Sequence, residues 1–392
     1  MSTYIDRAEG ALYKTYSRFP AVFERGEGVR LYDDKGAEYL DFGAGIAVMG
    51  LGYHYPGVDE AAKNQIDKLV HTSNLFYNIP ATEAAEKLLK ASQMDRVFFT
   101  NSGTEAIEGA LKIAKRHAFN RGLPRDYEII AMEHSFHGRS IGALSVTGNA
   151  HYREPFDPLI PNIKFAEFNN LDSVKALFSD ETAAVIMETI QGEGGIYPAT
   201  AEFLAGVRKL CDESGALLIL DEIQCGMGRS GDMFAWQGYD IKPDVMTVAK
   251  ALGNGFPIGA FLAQGDAASA MTVGDHGSTF GGNPLVCAVA SKVLDIYKEQ
   301  DIPAHVKTVG AYLWKKLEAL KESSDKITAH RGKGLIQGLE FNVPASDIVK
   351  SALTNEHLVL ISAGKNVIRF VPPLIITEAE VDEMVEKLSH VL

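Results

Sequence analysis

Short, almost continuously apolar runs alternate with segments of helical periodicity between residues 97 and 263. One predicted helix carries Ala106, Ile107 and Ala110 on a single face, and another runs from about Thr200 to Ser214. Strands that are apolar at nearly every position are buried on both faces, as in a mostly parallel sheet covered by helices. The runs that we interpret as strands are 97–100, 128–132, 183–188, 216–223, 245–250 and 258–263. The sequence therefore predicts an α/β fold with functional residues at the carboxyl ends of its strands.

The pattern changes after about residue 303, where predicted helices alternate with short strands. A chain of 392 residues is too long for one small core, so we expect a large domain and a smaller one. The first 50 residues are rich in turns and short strands and are predicted to pack with the smaller domain. The predicted units are an N-terminal segment 1–50, a large domain 51–302 and a small α+β domain 303–392.

The charge of the chain limits its partners. It has 38 Lys and Arg residues against 51 Asp and Glu residues, a net charge of −13, and no Lys/Arg-rich run. We therefore expect no binding to nucleic acid or to a membrane surface. No apolar run approaches the roughly 20 residues that span a bilayer, and the first residues show no secretory signal. Three scattered cysteines without CxxC spacing are typical of a reducing cytosol, which predicts a cytoplasmic location.

The segment Asn101–Ser102–Gly103–Thr104 separates a predicted strand from a predicted helix. Free backbone N–H groups and the positive end of the helix dipole meet at such a junction, which suits a phosphate group. The same residues could instead be an ordinary Ser/Thr cap. Both interpretations stay open on this segment alone.

Asp221 ends a strongly apolar predicted strand, where a buried carboxylate needs a cationic partner such as a protonated pyridine nitrogen, a lysine or a metal ion. The following GMGRSG (226–231) has the GxGxxG spacing of dinucleotide sites. However, Asp221 and Glu222 would repel a pyrophosphate, and no helical pattern follows. RGKG (331–334) is followed by Leu335, which excludes a P-loop.

Lys250 ends the apolar run 245–250 and precedes a glycine-rich turn. A lysine at a strand end in a cleft can lose hydration and become a nucleophile toward an aldehyde. The alternative is a lysine that merely extends into solvent. A site for pyridoxal phosphate must anchor the phosphate, keep the ring nitrogen protonated and attach the cofactor covalently. The segment 101–104, Asp221 and Lys250 offer these three functions in this order, so together they indicate such a site.

These segments belong to a chain that resembles the class III, ornithine-type aminotransferases of the aspartate-aminotransferase-like fold (fold type I), and within them the acetylornithine-type enzymes. The resemblance runs nearly end to end, and one departure is Thr189, where the family usually has proline. The matching motifs are TYSRFPAVFERGEG, YLDFGAGIAVMGLG, HTSNLFYN, FFTNSGTEAIEGALK, HSFHGR, IQGEGG, LILDEIQCGMGR, TVAKALGNGFPIGA, HGSTFGGNPL and VIRFVPPL. The resemblance implies a pyridoxal 5'-phosphate-dependent aminotransferase with a large domain and a smaller α+β domain.

The resemblance also implies contacts to the cofactor. These are Ser102, Gly103 and Thr104 at the phosphate, Phe136 stacked on the pyridine ring, Asp221 at the ring nitrogen, Ile223 against the opposite ring face, Gln224 near the phenolic oxygen and Lys250 as the covalent attachment. Lys250 and Asp221 are the implied catalytic residues. Thr279, with Ser278 beside it, would reach the phosphate held by a neighbouring subunit, which predicts a homodimer with shared active sites.

Two arginines are the candidates for binding substrate carboxylates, since a guanidinium can bind a carboxylate through two hydrogen bonds. A surface ion pair is the alternative for each. By the resemblance, Arg139 would hold the α-carboxylate of an ornithine-type donor, and Arg369 that of glutamate or 2-oxoglutarate. Glu193 would mask Arg369 while the donor is bound. Tyr16 and Ser278 are predicted as secondary substrate contacts.

Ile46 stands where ornithine aminotransferases usually have a tyrosine that helps to bind the free α-amino group. An apolar residue there fits a capped amine, as in N-acetylornithine, or a substrate without that group, as in 4-aminobutyrate. Ornithine and succinylornithine remain alternative donors, and a racemase, aminomutase or decarboxylase of the same fold is the alternative activity. His134 and His137 lack a third ligand at metal spacing, so no metal site is predicted, and both are expected to pack in the interior or to lie near the cofactor ring.

Overall fold

The computed structural model describes residues 3–392, and seventeen strands and fourteen helices make up its regular structure. The strands are β1 (Phe23–Glu27), β2 (Arg30–Asp33), β3 (Glu38–Asp41), β4 (Arg96–Thr100), β5 (Glu128–Met132), β6 (Ile163–Ala166), β7 (Thr182–Glu188), β8 (Ile190–Gln191), β9 (Tyr197–Pro198), β10 (Leu217–Asp221), β11 (Val245–Val248), β12 (Gly259–Ala263), β13 (Ile327–Lys333), β14 (Ile336–Phe341), β15 (Leu358–Val359), β16 (Ile361–Ala363) and β17 (Val367–Phe370). The helices are α1 (Tyr4–Ala11), α2 (Ala44–Ala47), α3 (Pro56–Ile66), α4 (Ile79–Ser92), α5 (Gly103–Asn120), α6 (Ile141–Ser145), α7 (Ala150–Arg153), α8 (Leu171–Leu177), α9 (Ala201–Ser214), α10 (Gly265–Ala268), α11 (Pro284–Glu299), α12 (Ile302–Ser323), α13 (Ala345–Glu356) and α14 (Glu378–Ser389).

The largest sheet has seven strands in the order β4-β12-β11-β10-β7-β5-β6. Strands β7, β10, β11 and β12 are buried at every position. Only β12 runs antiparallel to its neighbours, and the other strands are mutually parallel. The prediction of an α/β fold with a mostly parallel sheet is therefore confirmed. The apolar run 258–263 could not reveal its direction, because a strand buried on both faces has the same composition in either orientation.

Alternate residues of β7 enter the two cores that lie on either side of this sheet. Val185 and Met187 pack in the core that contains Phe203 of α9. Ala184 and Ile186 pack in the other core, together with Ile107 of α5. This two-sided burial explains the unbroken apolar sequence of the strand, since side chains alternate between the faces of a sheet.

Two four-stranded sheets lie outside the seven-stranded sheet. One is antiparallel, with the order β13-β14-β17-β16. The other, β1-β2-β3-β15, joins the N-terminal strands to a strand from the far end of the chain, with Leu358 opposite Leu40. Residues near both ends of the chain therefore share one sheet. Within residues 3–392, no helix is both long enough and apolar enough to cross a membrane.

The packing of α5 against the sheet generates a stability prediction for Gly109. A Cβ at this position would lie 2.1 Å from Cε1 of Phe261, so Gly109→Ala forces the ring or the helix to move. Overpacking typically costs about 1–3 kcal/mol, which exceeds the gain of up to about 1 kcal/mol from the helix propensity of alanine. We expect urea-induced unfolding, followed by circular dichroism, to have a lower midpoint.

Gly10→Ala is the matched control, because Gly10 is also helical but nothing lies within 4 Å of an added Cβ. This variant should unfold at the same or a slightly higher urea concentration. Equal midpoints for the two variants would contradict the packing argument.

Candidate active site

A cleft of about 410 Å³ opens at the carboxyl ends of the parallel strands. Glu188 and Asp221 are the last residues of β7 and β10, and Lys250 follows β11 by two residues. The volume lies within the range that is usual for small-molecule sites. Residues that line it include Val48, Asn101, Ser102, Gly103, Thr104, Phe136, His137, Gly138, Arg139, Glu188, Glu193, Asp221, Ile223, Gln224, Lys250 and Phe256.

The N-terminus of α5 forms one wall of the cleft. The side chain of Ser102 accepts a hydrogen bond from the N–H of Glu105, so the cap expected from the sequence is present. The first N–H groups of the helix, those of Gly103 and Thr104, have no partner within a helix and lie at the cleft. A Cβ on Gly103 would lie 2.9 Å from Cδ1 of Ile223, which explains why glycine is needed there. The two interpretations of this segment are compatible: a capped helix end still has free donors for a phosphate.

Asp221 is almost completely buried and its carboxylate has three hydrogen-bond donors. Nδ1 of His137 lies 2.7 Å from Oδ2, and Oδ1 accepts from the N–H of Ile223 and the hydroxyl of Thr247. Burial alone would lower the pKa of His137, but the hydrogen bond to Asp221 and the charges of Asp221 and Glu188 raise it. Nε2 of His137 is buried and has no hydrogen-bond partner in residues 3–392. The sequence predicted that His137 packs in the interior or lies near the cofactor ring, and in the structure it is the direct partner of Asp221.

Lys250 lies in the turn that follows strand β11, whereas the sequence predicted it as the last residue of the strand. Strand β11 ends at Val248, and Lys250 begins a short 3₁₀ turn with a left-handed φ of 50°. Burial and the positive charge of Arg369 lower the pKa of Lys250 to about 8, against the opposing effect of Glu193 and other carboxylates. A larger fraction of the amine is therefore neutral near neutral pH than for a solvated lysine, as a nucleophile requires.

Arg369 lies on β17 and is only 2% exposed. Its Nη1 donates to Oε1 of Glu193 at 2.6 Å and to Oε1 of Gln224 at 2.9 Å. Burial would raise the pKa of Glu193, but the charge and hydrogen bond of Arg369 lower it. Arg139, by contrast, is exposed at the rim and makes no ion pair within the described part of the chain. One guanidinium, that of Arg139, thus lies open at the cleft, and the other, that of Arg369, lies behind Glu193 and Gln224, which line the cleft.

Two further buried carboxylates were not singled out from the sequence. Glu188 accepts from the N–H groups of Phe136 and Gly192, and burial raises its pKa to about 7. Glu222 accepts from the hydroxyl of Thr189 at 2.9 Å and from the N–H of Ala235, and burial raises its pKa to about 7 as well. Both acids stand at the ends of apolar runs, and that position was the available signal.

Besides Arg369, which lies behind Glu193 and Gln224, four residues with predicted roles do not line this cleft within a single chain. Ser278 and Thr279 border a separate groove, although Oγ of Ser278 is 3.4 Å from Nδ2 of Asn101 at the cleft. Tyr16 is 74% exposed and Ile46 is 46% exposed. Their predicted contacts therefore require a second chain or a bound substrate.

The residues at the cleft fit the cofactor that the resemblance implies. The free N–H groups of α5 suit its phosphate, and the buried Asp221 suits a protonated ring nitrogen. Gly138 has a φ of 142°, and a Cβ there would lie 2.4 Å from Oγ1 of Thr104, so glycine leaves room beside the cradle. Across residues 3–392 no group of three His, Cys, Asp or Glu side chains could hold a metal ion.

Comparison with known proteins assigns the chain to a family. The family described as "Aminotransferase class-III" matches residues 12–392. The acetylornithine aminotransferase of Clostridium acetobutylicum is 49% identical over 95% of this chain and 96% of its own length. That of Aquifex aeolicus is 44% identical over 97% of this chain and 99% of its own.

Solved structures agree with this result. The N-acetylornithine aminotransferase of Stenotrophomonas maltophilia has a TM-score of 0.85 and 38% identity, covering 99% of this chain and 98% of that one. The ornithine aminotransferase of Toxoplasma gondii ME49 has a TM-score of 0.95 and 30% identity, with coverage of 100% and 95%. The chain therefore belongs to the class III aminotransferases, which are pyridoxal-phosphate-dependent transaminases of fold type I.

Proposed function

We propose that this enzyme transfers the terminal amino group of N2-acetyl-L-ornithine to 2-oxoglutarate, giving N-acetylglutamate 5-semialdehyde and glutamate, in arginine biosynthesis. The names of three relatives, which are 49%, 44% and 38% identical to this chain, support the donor. The observation that carries the proposal is a pair of guanidinium groups, one at the cleft and one directly behind the cleft residues Glu193 and Gln224. Arg369 is covered by Glu193, and Arg139 is open.

Bound pyridoxal phosphate supplies an aldehyde that takes up the amino group and a ring that accepts an electron pair during proton transfer. Lys250 would attach the cofactor, and its side-chain amine would carry the proton during the transfer. Its lowered pKa of about 8 favours both tasks. Asp221, supported by His137, keeps the ring nitrogen protonated through its negative charge.

Glu193 lets one site accept two kinds of substrate. While it covers Arg369, the neutralised pair offers no strong site for an α-carboxylate, so the terminal amine of the donor enters instead. A dicarboxylate such as 2-oxoglutarate replaces Glu193 at the guanidinium. A buried charge is costly without a partner, so Arg369 always needs one of these two carboxylates.

Arg139 and Ile46 would select the donor. Arg139 binds the α-carboxylate of an ornithine-type donor, which 4-aminobutyrate lacks at that position. Ile46 cannot solvate a free α-ammonium group, so an acetylated amine is favoured over ornithine. Acetylornithine should therefore be used more efficiently than ornithine, and ornithine more efficiently than 4-aminobutyrate.

The active form would be a homodimer with shared sites. Thr279 and Ser278 lie outside the cleft of their own chain. Large apolar side chains near them are exposed, among them Leu75 at 88% and Phe76 at 67%. A second copy of the chain would cover them and bring Thr279 to the phosphate of its partner. Three buried free cysteines are compatible with a cytoplasmic location.

Lys250→Ala tests the covalent attachment. Removing the amine eliminates both the attachment and the proton carrier, and proton transfer by a positioned group is typically worth about 10²–10⁴-fold in rate. We expect steady-state turnover to fall at least that far. We also expect that the visible absorbance of the variant does not shift, as that of the wild type does, when the amino donor is added. Lys175→Ala, at an exposed lysine paired with Asp172, is the control and should retain activity. Normal turnover by Lys250→Ala would refute the role of the lysine.

Arg139→Ala and Arg369→Ala test the division between the two substrates. Loss of a charged contact costs about 2–5 kcal/mol in a desolvated site such as that of Arg369, or roughly thirtyfold to several thousandfold, and less at the exposed Arg139. Arg139→Ala should damage the acetylornithine half-reaction more, and Arg369→Ala the glutamate half-reaction more, in single-turnover measurements. Arg25→Ala removes a surface arginine outside the cleft and should change neither. Equal losses in both halves for both variants, or a preference for 4-aminobutyrate, would overturn the substrate assignment.

Mixing two inactive variants tests the shared site. A heterodimer of Lys250→Ala and Thr279→Ala chains has one site free of both changes, since lysine and threonine come from different chains. Random reassembly should restore activity at about one quarter of all sites. Each variant reassembled with itself is the control. No recovery, or a fully active monomer in sedimentation, would count against a shared site.

A further inference from the structure

Arg139 is packed against aromatic rings. Its guanidinium carbon lies 3.8 Å from the ring centroid of Tyr152 and 5.5 Å from that of Phe136. The two rings are nearly perpendicular, with an interplanar angle of 86° and centroids 6.4 Å apart. The guanidinium therefore lies over the face of Tyr152, in a corner whose second side is Phe136.

This support differs from that of Arg369 in its effect on charge. Arg369 is held by the carboxylate of Glu193, which occupies its N–H donors and neutralises it. The ring of Tyr152 instead occupies the flat face of Arg139, through the attraction between a cation and an aromatic quadrupole. The N–H groups at the edge of the guanidinium remain available for two hydrogen bonds to a substrate carboxylate. An aromatic partner thus restrains the arginine without competing with the substrate.

Tyr152 is itself carried by a restrained segment. It lies on α7, whose first turn is capped by the side chain of Asn149. The nearby Thr147 accepts from the N–H of His137 at 3.0 Å, which ties the segment to the partner of Asp221. Arg153, next to Tyr152, donates to the carbonyl of Thr147 at 2.5 Å. The ring is therefore positioned relative to the cofactor site, and an otherwise flexible arginine side chain is pre-oriented on it.

We infer that Tyr152 is a specificity-determining positioning residue, which holds Arg139 ready for the α-carboxylate of the amino donor. This inference rests on the proposed role of Arg139 in donor binding. Tyr152 itself needs no contact with the substrate. Its ring face, and not its hydroxyl group, is the part that acts.

The test compares Tyr152→Leu, which removes the aromatic face, with Tyr152→Phe, which removes only the hydroxyl group. Single-turnover measurements on the holoenzyme separate the apparent Kd of each substrate from the maximal rate. For Tyr152→Leu we expect the apparent Kd of acetylornithine to rise about three- to thirtyfold. Its maximal rate, and both parameters for glutamate, should stay within about twofold of wild type. Tyr152→Phe should behave as wild type, and Tyr152→Met serves as a second non-aromatic variant.

Tyr32→Leu is the matched control. Tyr32 stacks on Arg25 at 3.6 Å in the same manner, but neither residue lines the cleft. This variant should change no kinetic parameter. Circular dichroism and the visible absorbance of the bound cofactor verify that each variant is folded and loaded.

Arg139→Ala and the double variant Arg139→Ala/Tyr152→Leu separate this inference from the proposed function. If Arg139→Ala leaves acetylornithine binding unchanged, both are wrong. If Arg139→Ala weakens that binding and Tyr152→Leu does not, only the inference about Tyr152 fails. That inference also fails if Tyr152→Phe weakens acetylornithine binding as much as Tyr152→Leu does, or if Tyr152→Leu impairs both half-reactions equally. It fails as well if the losses of binding free energy from the two single variants add fully in the double variant. A double variant no worse than Arg139→Ala supports the inference.

Discussion

Two carboxylates lie side by side at the end of the seven-stranded sheet. Their burial costs free energy, and the surrounding residues supply the hydrogen-bond donors that offset this cost. Asp221 and Glu188 are register partners at the ends of β10 and β7. Adjacent strands are about 4.8 Å apart, so the two like charges would repel strongly in a buried setting. Asp221 is compensated by His137, and Glu188 by backbone donors together with a raised pKa of about 7. Loops that supply these donors are thereby held over the sheet.

The donors to these carboxylates come from the segments that carry the rest of the cleft. Glu188 accepts a hydrogen bond from the N–H of Phe136, whose side chain lies at the cleft. It accepts a second one from the N–H of Gly192, which is adjacent to Glu193 in the chain. Glu222 binds Thr189 and the backbone at Ala235. The hydroxyl donor at position 189 depends on threonine, because proline has no side-chain donor. The departure from the usual family residue is therefore accommodated by a hydrogen bond to a buried acid.

Backbone geometry adds a second constraint near the cleft. The four residues of α2, which are Ala44, Gly45, Ile46 and Ala47, all have positive φ values between 47° and 65°, so this short element is a left-handed turn. A left-handed conformation costs about 1–2 kcal/mol for each residue with a side chain. Asp41 offsets part of this cost by accepting from the N–H groups of Gly43 and Ala44, and its other oxygen accepts from Tyr53. The turn directs the chain to Val48, which lines the cleft, and leaves Ile46 exposed.

The α/β class, the apolar strands and the order of Ser102–Thr104, Asp221 and Lys250 can be predicted from the amino-acid sequence, because burial and strand-end chemistry depend on local composition. The sequence also contained the motifs that identify the family. The antiparallel direction of β12, the pairing of His137 with Asp221 and the stacking of Tyr152 on Arg139 were decided by the tertiary structure alone. The two side-chain contacts join residues that are distant in the chain. The direction of β12 cannot be predicted from its local sequence, because the same pattern fits both orientations. The left-handed turn at Ile46 is likewise decided by contacts, since the intrinsic preference of a β-branched residue opposes it.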